Sequence, residues 1–191
     1  MKKFVLMMVA GLAAAGMCAC GGAKEKKADA AQPEGKAIVC YFSATGTTEA
    51  AAERIAKVAD APLHEIKPAQ PYTDADLDWR DSLSRSTVEM HAREMRPELA
   101  DSTMDLSAYS VIFLGYPNWW NTYPNVIASF IDANNLEGKK IVPFMTSGGG
   151  GIENSVEELR KTYPKLQFTD GLLLNNVSDE ELTDWVKKSM E

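Results

Sequence analysis

The chain has 191 residues and a formal net charge of −7, from 20 basic and 27 acidic side chains. This balance argues against nucleic acid as a partner, because a nucleic-acid-binding surface needs an excess of lysine and arginine. The three cysteines and two histidines show no zinc-ligand spacing, which argues against a metal site. Cys40 is the only cysteine after residue 20, and we expect it to be a small buried hydrophobic residue.

Residues 1–20 have the organisation of an export signal. Two lysines precede an apolar stretch that is too short to span a membrane, and small residues follow. Residues 17–22, Met-Cys-Ala-Cys-Gly-Gly, resemble the lipobox of bacterial lipoproteins. The resemblance implies lipidation at Cys20 and a domain outside the cytoplasm, held at the cell envelope by the N-terminal lipid only. The alternative is a cytosolic protein with an apolar start.

Residues 21–35 are small, charged and aperiodic, which predicts a flexible linker. The composition changes at Lys36, and residues 36–191 have the size of one domain with a single core. We therefore divide the chain into a lipoprotein signal peptide (1–20), a linker (21–35) and one domain (36–191).

The domain is organised around residues 37–59, where an apolar run leads into a hydroxyl-rich turn and then a helix. The run is continuously apolar, as in a strand buried on both faces of a parallel sheet. The turn, residues 43–48, has four hydroxyl side chains, one glycine and no lysine or arginine. One helix cap needs one hydroxyl, so we interpret the turn as a phosphate site at a helix start; simple capping is the alternative. Neither GxxxxGK[ST] nor GxGxxG occurs, so the common nucleotide-binding motifs are not indicated.

Four further strands are predicted, at 63–66, 111–114, 141–145 and 172–174; the first is a short segment of mixed polarity and the others are apolar runs. Pro143 is awkward in the third of these, because proline removes a ladder hydrogen bond and is disfavoured in a central strand. Helical patterns separate the strands. This alternation predicts an α/β fold with a five-stranded parallel sheet in the order 2-1-3-4-5 between two helical layers.

Helix boundaries are predicted from proline and capping residues. Pro124 suits the first position of one helix, and Ser178 with Glu181 forms a capping box at the start of the last helix. Residues 74–96 are densely charged and have a ragged apolar stripe, which predicts one broken helix or two short ones, ended by Pro97.

Three distinctive loops follow the first, third and fourth predicted strands, at residues 43–48, 116–124 and 146–151. In such a sheet, ligands bind outside the carboxyl ends of the strands where the strand order reverses, so we expect these loops to form one crevice. Hydroxyls suit a phosphate, indoles suit a flat ring, and glycines let backbone N–H groups approach a polar ring edge. A tryptophan pair is more often part of a core and a glycine run can be a bare turn, but both lie here in loops that leave the sheet.

Residues 42–49, Phe-Ser-Ala-Thr-Gly-Thr-Thr-Glu, resemble the FMN phosphate loop of the flavodoxin family, a strand followed by [ST]-x-T-G-x-T. Residues 115–120, Gly-Tyr-Pro-Asn-Trp-Trp, and 143–151 resemble the second and third flavin loops, with the Tyr-Pro-x-Trp-Trp subgroup as the closest match. The resemblance extends over residues 36–191. It implies a flavodoxin-like three-layer sandwich that binds FMN.

The resemblance also implies which residues contact FMN. The phosphate would be surrounded by Ser43, Ala44 (through its backbone), Thr45, Gly46, Thr47 and Thr48. The isoalloxazine would be lined by Pro117, Asn118, Trp119, Trp120 and Asn121, and its polar edge contacted by Ser147, Gly148, Gly149 and Gly150. By the habit of the family in this loop, we favour Trp119 over Trp120 as the flavin-facing ring.

These features predict an FMN-binding redox protein at the cell envelope, with no catalytic side chain and no metal. The flavin would pass electrons to a redox partner protein, as a carrier, or to a small quinone-like or nitroaromatic acceptor, as an oxidoreductase. The acidic charge suits a basic partner, although solubility alone also explains it. The alternatives are a lipid-anchored binding protein that holds another phosphorylated or aromatic ligand without redox turnover, and a cofactor-free scaffold.

Overall fold

A parallel β-sheet forms the centre of the computed structural model, which describes residues 36–191. The strands are β1 Ala37–Tyr41, β2 Leu63–Glu65, β3 Val111–Pro117, β4 Lys140–Thr146, β5 Gln167–Phe168 and β6 Leu172–Leu173. Their order is β2-β1-β3-β4-β5, with β6 also paired to β4. The predicted fold and strand order are confirmed, whereas the proposed signal peptide, linker and lipidation at Cys20 lie outside the described residues.

Helices cover both faces of the sheet. They are α1 Thr47–Ala59, α2 Arg85–His91, α3 Asn125–Ala133, α4 Glu153–Thr162 and α5 Asp179–Met190. Helices α1 and α5 pack on one face and α3 and α4 on the other, with buried residues alternating along β1 between the two sides. Over residues 36–191, none of these helices has the length and apolar character that a membrane span needs.

Cys40 shows how deeply β1 is buried. Its side chain has no exposed surface, and burial raises the pKa of its thiol. The thiol is therefore held in its neutral form inside the core, as a small hydrophobic residue.

Strands β5 and β6 form one interrupted edge, and the interruption explains how Pro143 fits into β4. The carbonyl oxygens of Ile141 and Met145 accept bonds from this edge, at 2.9 Å from Thr169 N and 2.9 Å from Leu174 N. Pro143 lies between these two residues, and its backbone nitrogen faces the same edge of β4 as their carbonyl oxygens. At this position β5 has ended and β6 has not begun. Its missing donor therefore costs no ladder bond.

Strands β2, β4 and β6 differ from their predicted ranges by one residue at one or both ends, and two other boundaries differ for a physical reason. Strand β3 continues through Gly115 to Pro117, because Gly115 makes room for a neighbour and does not end the strand: a Cβ there would lie 2.1 Å from the ring of Phe144. Pro124 is the residue before α3 and not its first helical residue. The capping box of Ser178 and Glu181 at the start of α5 is confirmed.

Residues 74–96 contain less helix than predicted. The segment has the one short helix α2, preceded by turns over residues 74–83. Aspartates in these turns accept backbone bonds locally, with Asp78 Oδ1 3.1 Å from Arg80 N and Asp81 Oδ1 2.9 Å from Leu83 N. Such local bonds compete with helix formation, so the charged stretch becomes turns.

Candidate functional site

The three distinctive loops meet at the carboxyl ends of β1, β3 and β4. The first and third are joined by a buried hydrogen bond of 2.8 Å between the hydroxyls of Thr48 and Thr146. The second joins the third through Asn118, whose N–H donates to Thr146 O at 2.8 Å and whose Nδ2 donates to Ser147 Oγ at 2.9 Å. Segments about 70 and 30 residues apart in sequence therefore form one rim, as expected at a topological switch point.

Residues 43–48, which we call the hydroxyl turn, carry hydroxyls that do not cap α1. The residue before the helix is Gly46, with a φ of 85° that favours glycine, and no side chain caps the helix start. The first helical bond runs from Ala50 N to Gly46 O, so the N–H groups before Ala50 have no partner within the helix. Simple capping therefore does not account for the hydroxyls.

Individual hydroxyls of this turn occupy different positions. Thr45 and Thr47 are exposed and lie 3.4 Å apart, Oγ1 to Oγ1, while Thr48 is buried. Ser43 Oγ is buried and has no protein partner. An unpartnered buried hydroxyl is costly, so Ser43 has unused hydrogen-bonding capacity at this rim.

Residues 119–122, which we call the tryptophan turn, are held in a strained conformation. Trp119 and Thr122 exchange two backbone hydrogen bonds of 3.0 Å, and the two residues between them have positive φ: 48° at Trp120 and 62° at Asn121. Non-glycine residues at positive φ cost about 1–2 kcal/mol each. Asn154 stabilises the turn by donating from Nδ2 to Asn121 O at 2.8 Å.

The two tryptophan side chains are anchored differently. Trp119 is half-buried and packs edge-on against Phe42 and Tyr72, at centroid distances of 5.6 and 5.2 Å. Trp120 is 38% exposed and packs against the ring of His91, with the two ring centroids 6.4 Å apart. Both rings line the same cavity, with Trp119 the more firmly held of the two.

The glycine loop, residues 146–151, fits closely against the tryptophan turn at one position. Gly150 has a φ of 83°, and a Cβ on it would lie 3.0 Å from both Asn118 Nδ2 and Asn121 Oδ1. Gly148 and Gly149 border open space. Ser147 Oγ accepts from Gly149 N at 3.0 Å, and Ser147 also bonds to Asn175, which ties the loop to the end of β6.

A cavity of about 460 Å³ lies between these loops. Nine of the sequence-predicted residues line it: Ala44, Thr45, Thr47, Thr48, Pro117, Asn118, Trp119, Trp120 and Gly148. The other six, Ser43, Gly46, Asn121, Ser147, Gly149 and Gly150, lie in the same loops but outside this lining. Ser43 borders a neighbouring cavity of about 370 Å³ together with Ala44 and Tyr72.

Sequence reasoning missed three lining residues, Leu77, Trp79 and Ser86. All three belong to residues 72–91, which we call the wall segment. Trp79 is 71% exposed although it is a large apolar side chain. The available signal was the presence of large apolar residues in a stretch too irregular to form an amphipathic helix. Such residues cannot be buried on the apolar face of a helix, so they are free to line a site.

Glu89 anchors the wall segment from inside. This carboxylate is almost fully buried, accepts from Arg85 Nε at 2.7 Å and accepts a short hydrogen bond from Tyr72 Oη. Burial, and then the bond to Glu89, raise the pKa of the Tyr72 phenol, which remains a neutral donor. Asn125 at the start of α3 donates from Nδ2 to Glu89 O at 2.7 Å. The bonds of Tyr72 and Arg85 stabilise the wall segment internally, and the bond from Asn125, which follows the tryptophan turn in the chain, holds the segment beside that turn.

No cluster of histidine, cysteine or acidic side chains within residues 36–191 has the arrangement of a metal site. His64 and His91 lie on separate elements, β2 and α2. Burial lowers the pKa of His64, which packs against Phe130.

Comparisons with known proteins identify a family and similar solved structures. The sequence model of the Flavodoxin family matches residues 36–189. The chain is similar to the solved structure of a candidate flavoprotein from Bacteroides uniformis ATCC 8492, with 45% identity over 81% of this chain and 99% of that chain and a TM-score of 0.78. It is also similar to one from Bacteroides eggerthii DSM 20697, with 46% identity over 82% of this chain and 98% of that chain and a TM-score of 0.79. A flavoprotein in complex with FMN from Lactobacillus acidophilus NCFM has the same fold at 22% identity, over 78% of this chain and 97% of that chain, with a TM-score of 0.60. A search of curated proteins found no match.

Proposed function

Because the chain belongs to the flavodoxin family, we propose that it binds FMN without a covalent bond and transfers electrons through it. Bound FMN supplies the redox chemistry, and the protein binds the cofactor, orients it and excludes water. The observation that carries the proposal is the convergence of the hydroxyl turn, the tryptophan turn and the glycine loop on one cavity.

The residues present fit the phosphate end of FMN. Thr45 and Thr47 line the cavity and present exposed hydroxyls beside the open N-terminus of α1. The turn contains no cation, so neutral hydroxyls, backbone N–H groups and the helix dipole would hold the phosphate. The structural role of Thr48, bonded to Thr146, is to join this turn to the glycine loop.

The residues present also fit the ring end. Trp119, Trp120 and Pro117 give the cavity an apolar lining for a flat ring, and Asn118 Oδ1 is buried without a partner. A ring that brings N–H groups along one edge would satisfy such an acceptor. This loop carries the Tyr-Pro-x-Trp-Trp pattern, on which we also propose membership of that subgroup.

We place the redox reaction at the cell envelope. The support is the sequence pattern of residues 1–20, with Cys20 as the lipidated residue. The reaction partner is then a redox protein or a small aromatic acceptor that reaches the domain outside the cytoplasm.

The direct test is flavin binding by the purified protein. We expect a flavin absorption spectrum, as purified or after addition of FMN, and saturable quenching of FMN fluorescence at one site per chain. Absence of saturable binding would refute the proposal and leave a binding protein for another ligand. If FMN binds, reduction assays with a nicotinamide nucleotide and with quinone or nitroaromatic acceptors distinguish an oxidoreductase from a carrier.

A further inference from the structure

We propose that the wall segment is a fourth flavin-contacting segment and that Ser86 Oγ hydrogen-bonds to the polar part of the isoalloxazine ring. The inference rests on the proposed function and deepens it, since it adds a binding residue that the three family-like loops do not include. The cavity is lined on this side by Leu77, Trp79 and Ser86.

Ser86 is the polar group of this wall. Its side chain is 1% exposed, it lines the cavity, and its hydroxyl has no protein partner. The neighbouring cap of α2 uses a different hydroxyl: Ser84 Oγ accepts from Thr87 N at 3.3 Å and donates to Thr87 Oγ1 at 2.8 Å. The Ser86 hydroxyl is therefore not needed to build the helix, and leaving it unpaired would cost free energy.

Ring contacts place the wall segment at the tryptophan end of the cavity. Tyr72, at its start, packs edge-on against Trp119, and His91, at its end, packs against Trp120. Between these anchors, Leu77 and Trp79 contribute apolar surface. A flat aromatic ring with nitrogen and carbonyl oxygen atoms along one edge suits this combination of apolar contacts and one hydroxyl, whereas a phosphate does not.

The wall is held firmly enough to act as a preformed surface. Ser86 N donates to Asp76 O at 2.9 Å, which fixes the turn that carries Leu77 to the start of α2. Glu89 ties the same helix to Tyr72 at the start of the wall segment, and its carbonyl oxygen accepts from Asn125 Nδ2 of α3 at 2.7 Å. The contacts thus come from a packed part of the structure, which reduces the ordering cost of binding.

The test is Ser86→Ala, with FMN and riboflavin as probes. Losing one buried hydrogen bond to the ring should weaken both ligands by the same factor, about tenfold, and shift the visible absorption of the bound flavin. Without flavin, the melting temperature should stay the same or rise, because the substitution removes an unpartnered buried hydroxyl. The matched control is Thr169→Val, which removes another unpartnered buried hydroxyl away from the cavity and should leave flavin binding unchanged.

Trp79→Ala is the second variant, with Leu83→Ala as its control. Both residues are exposed on the wall segment, but only Trp79 lines the cavity, so only Trp79→Ala should weaken FMN and riboflavin, by about two- to tenfold. If the wild type binds FMN and neither Ser86→Ala nor Trp79→Ala alters binding, the wall segment does not contact the flavin. A loss confined to FMN in Ser86→Ala would place the hydroxyl at the phosphate and overturn the ring assignment. Failure of the wild type to bind FMN would instead refute the proposed function.

Discussion

The hydroxyl turn and the wall segment line the same cavity, but they are built in different ways. The hydroxyl turn is six consecutive residues between a buried strand and a helix, and its shape depends on one glycine at positive φ and on the helix start. The wall segment lies on a short helix and a series of turns, held by the buried carboxylate of Glu89 and by Asn125 from another helix. The first is a local structure, whereas the second depends on tertiary contacts.

This difference explains what each region can do. A turn with exposed hydroxyls and free backbone N–H groups suits an anion and discriminates by charge. A wall of apolar side chains with one buried hydroxyl suits a flat ring and discriminates by shape. FMN combines both groups in one molecule, so changes to the two regions should separate when FMN is compared with riboflavin, which lacks the phosphate.

The largest expected effect is on the hydroxyl turn. Thr45→Ala with Thr47→Ala removes two hydrogen bonds to a charged group, which we expect to weaken FMN by about 2–3 kcal/mol, or roughly 30- to 150-fold, and riboflavin far less. Both side chains are exposed and contact only each other by hydrogen bond, so unfolding in urea without flavin should change little. Titration of the two flavins by fluorescence measures the difference, and equal losses would show that these hydroxyls do not meet the phosphate.

A smaller effect is expected from loosening the wall segment. Ser84→Ala removes the N-cap of α2, and Ser178→Ala removes the N-cap of α5 away from the cavity; each should lower the free energy of unfolding by about 1 kcal/mol. Only Ser84→Ala should also weaken flavin binding, to the same extent for FMN and riboflavin, because α2 carries Ser86. Urea unfolding and flavin titration of both variants provide the check. If the two variants bind flavin equally well, the position of α2 does not matter to the cofactor.

The same contrast shows how far the sequence could lead. The strand order, the convergence of three loops and most of the lining residues follow from local patterns combined with the geometry of parallel sheets. The wall segment does not, because its placement depends on long-range contacts, such as those of Asn125 with Glu89 and of Tyr72 with Trp119, and a dense mixture of charges looks the same whether or not one carboxylate is buried. Pro143 is a similar case: its strand is permitted by an interruption in the neighbouring edge that local residues do not reveal.

The smallest expected effect comes from the titration of His64, which should change stability without affecting either the hydroxyl turn or the wall segment selectively. His64 lies on β2 and is paired with Cys40 on β1. The hydroxyl turn follows β1 in the chain, and the wall segment follows β2. Burial lowers the pKa of His64, and Lys67 acts in the same direction, against the opposing charges of Asp101 and Glu65. The unfolded chain therefore binds a proton more readily than the folded protein. Stability should fall as the pH decreases through about 6.5, the usual pKa of an unfolded histidine.

The variant His64→Gln isolates this contribution, because other groups also titrate in the same range. We expect the urea-unfolding free energy of the wild type to decrease more than that of the variant between pH 7.5 and pH 5.5. At pH values where both proteins are folded, the pH dependence of riboflavin affinity should be the same for the wild type and the variant, since His64 does not line the cavity. An identical pH dependence of stability in both proteins would mean that the half-buried imidazole contributes nothing. If the folded wild type loses riboflavin affinity in acid and His64→Gln does not, β2 influences the wall segment separately from the hydroxyl turn.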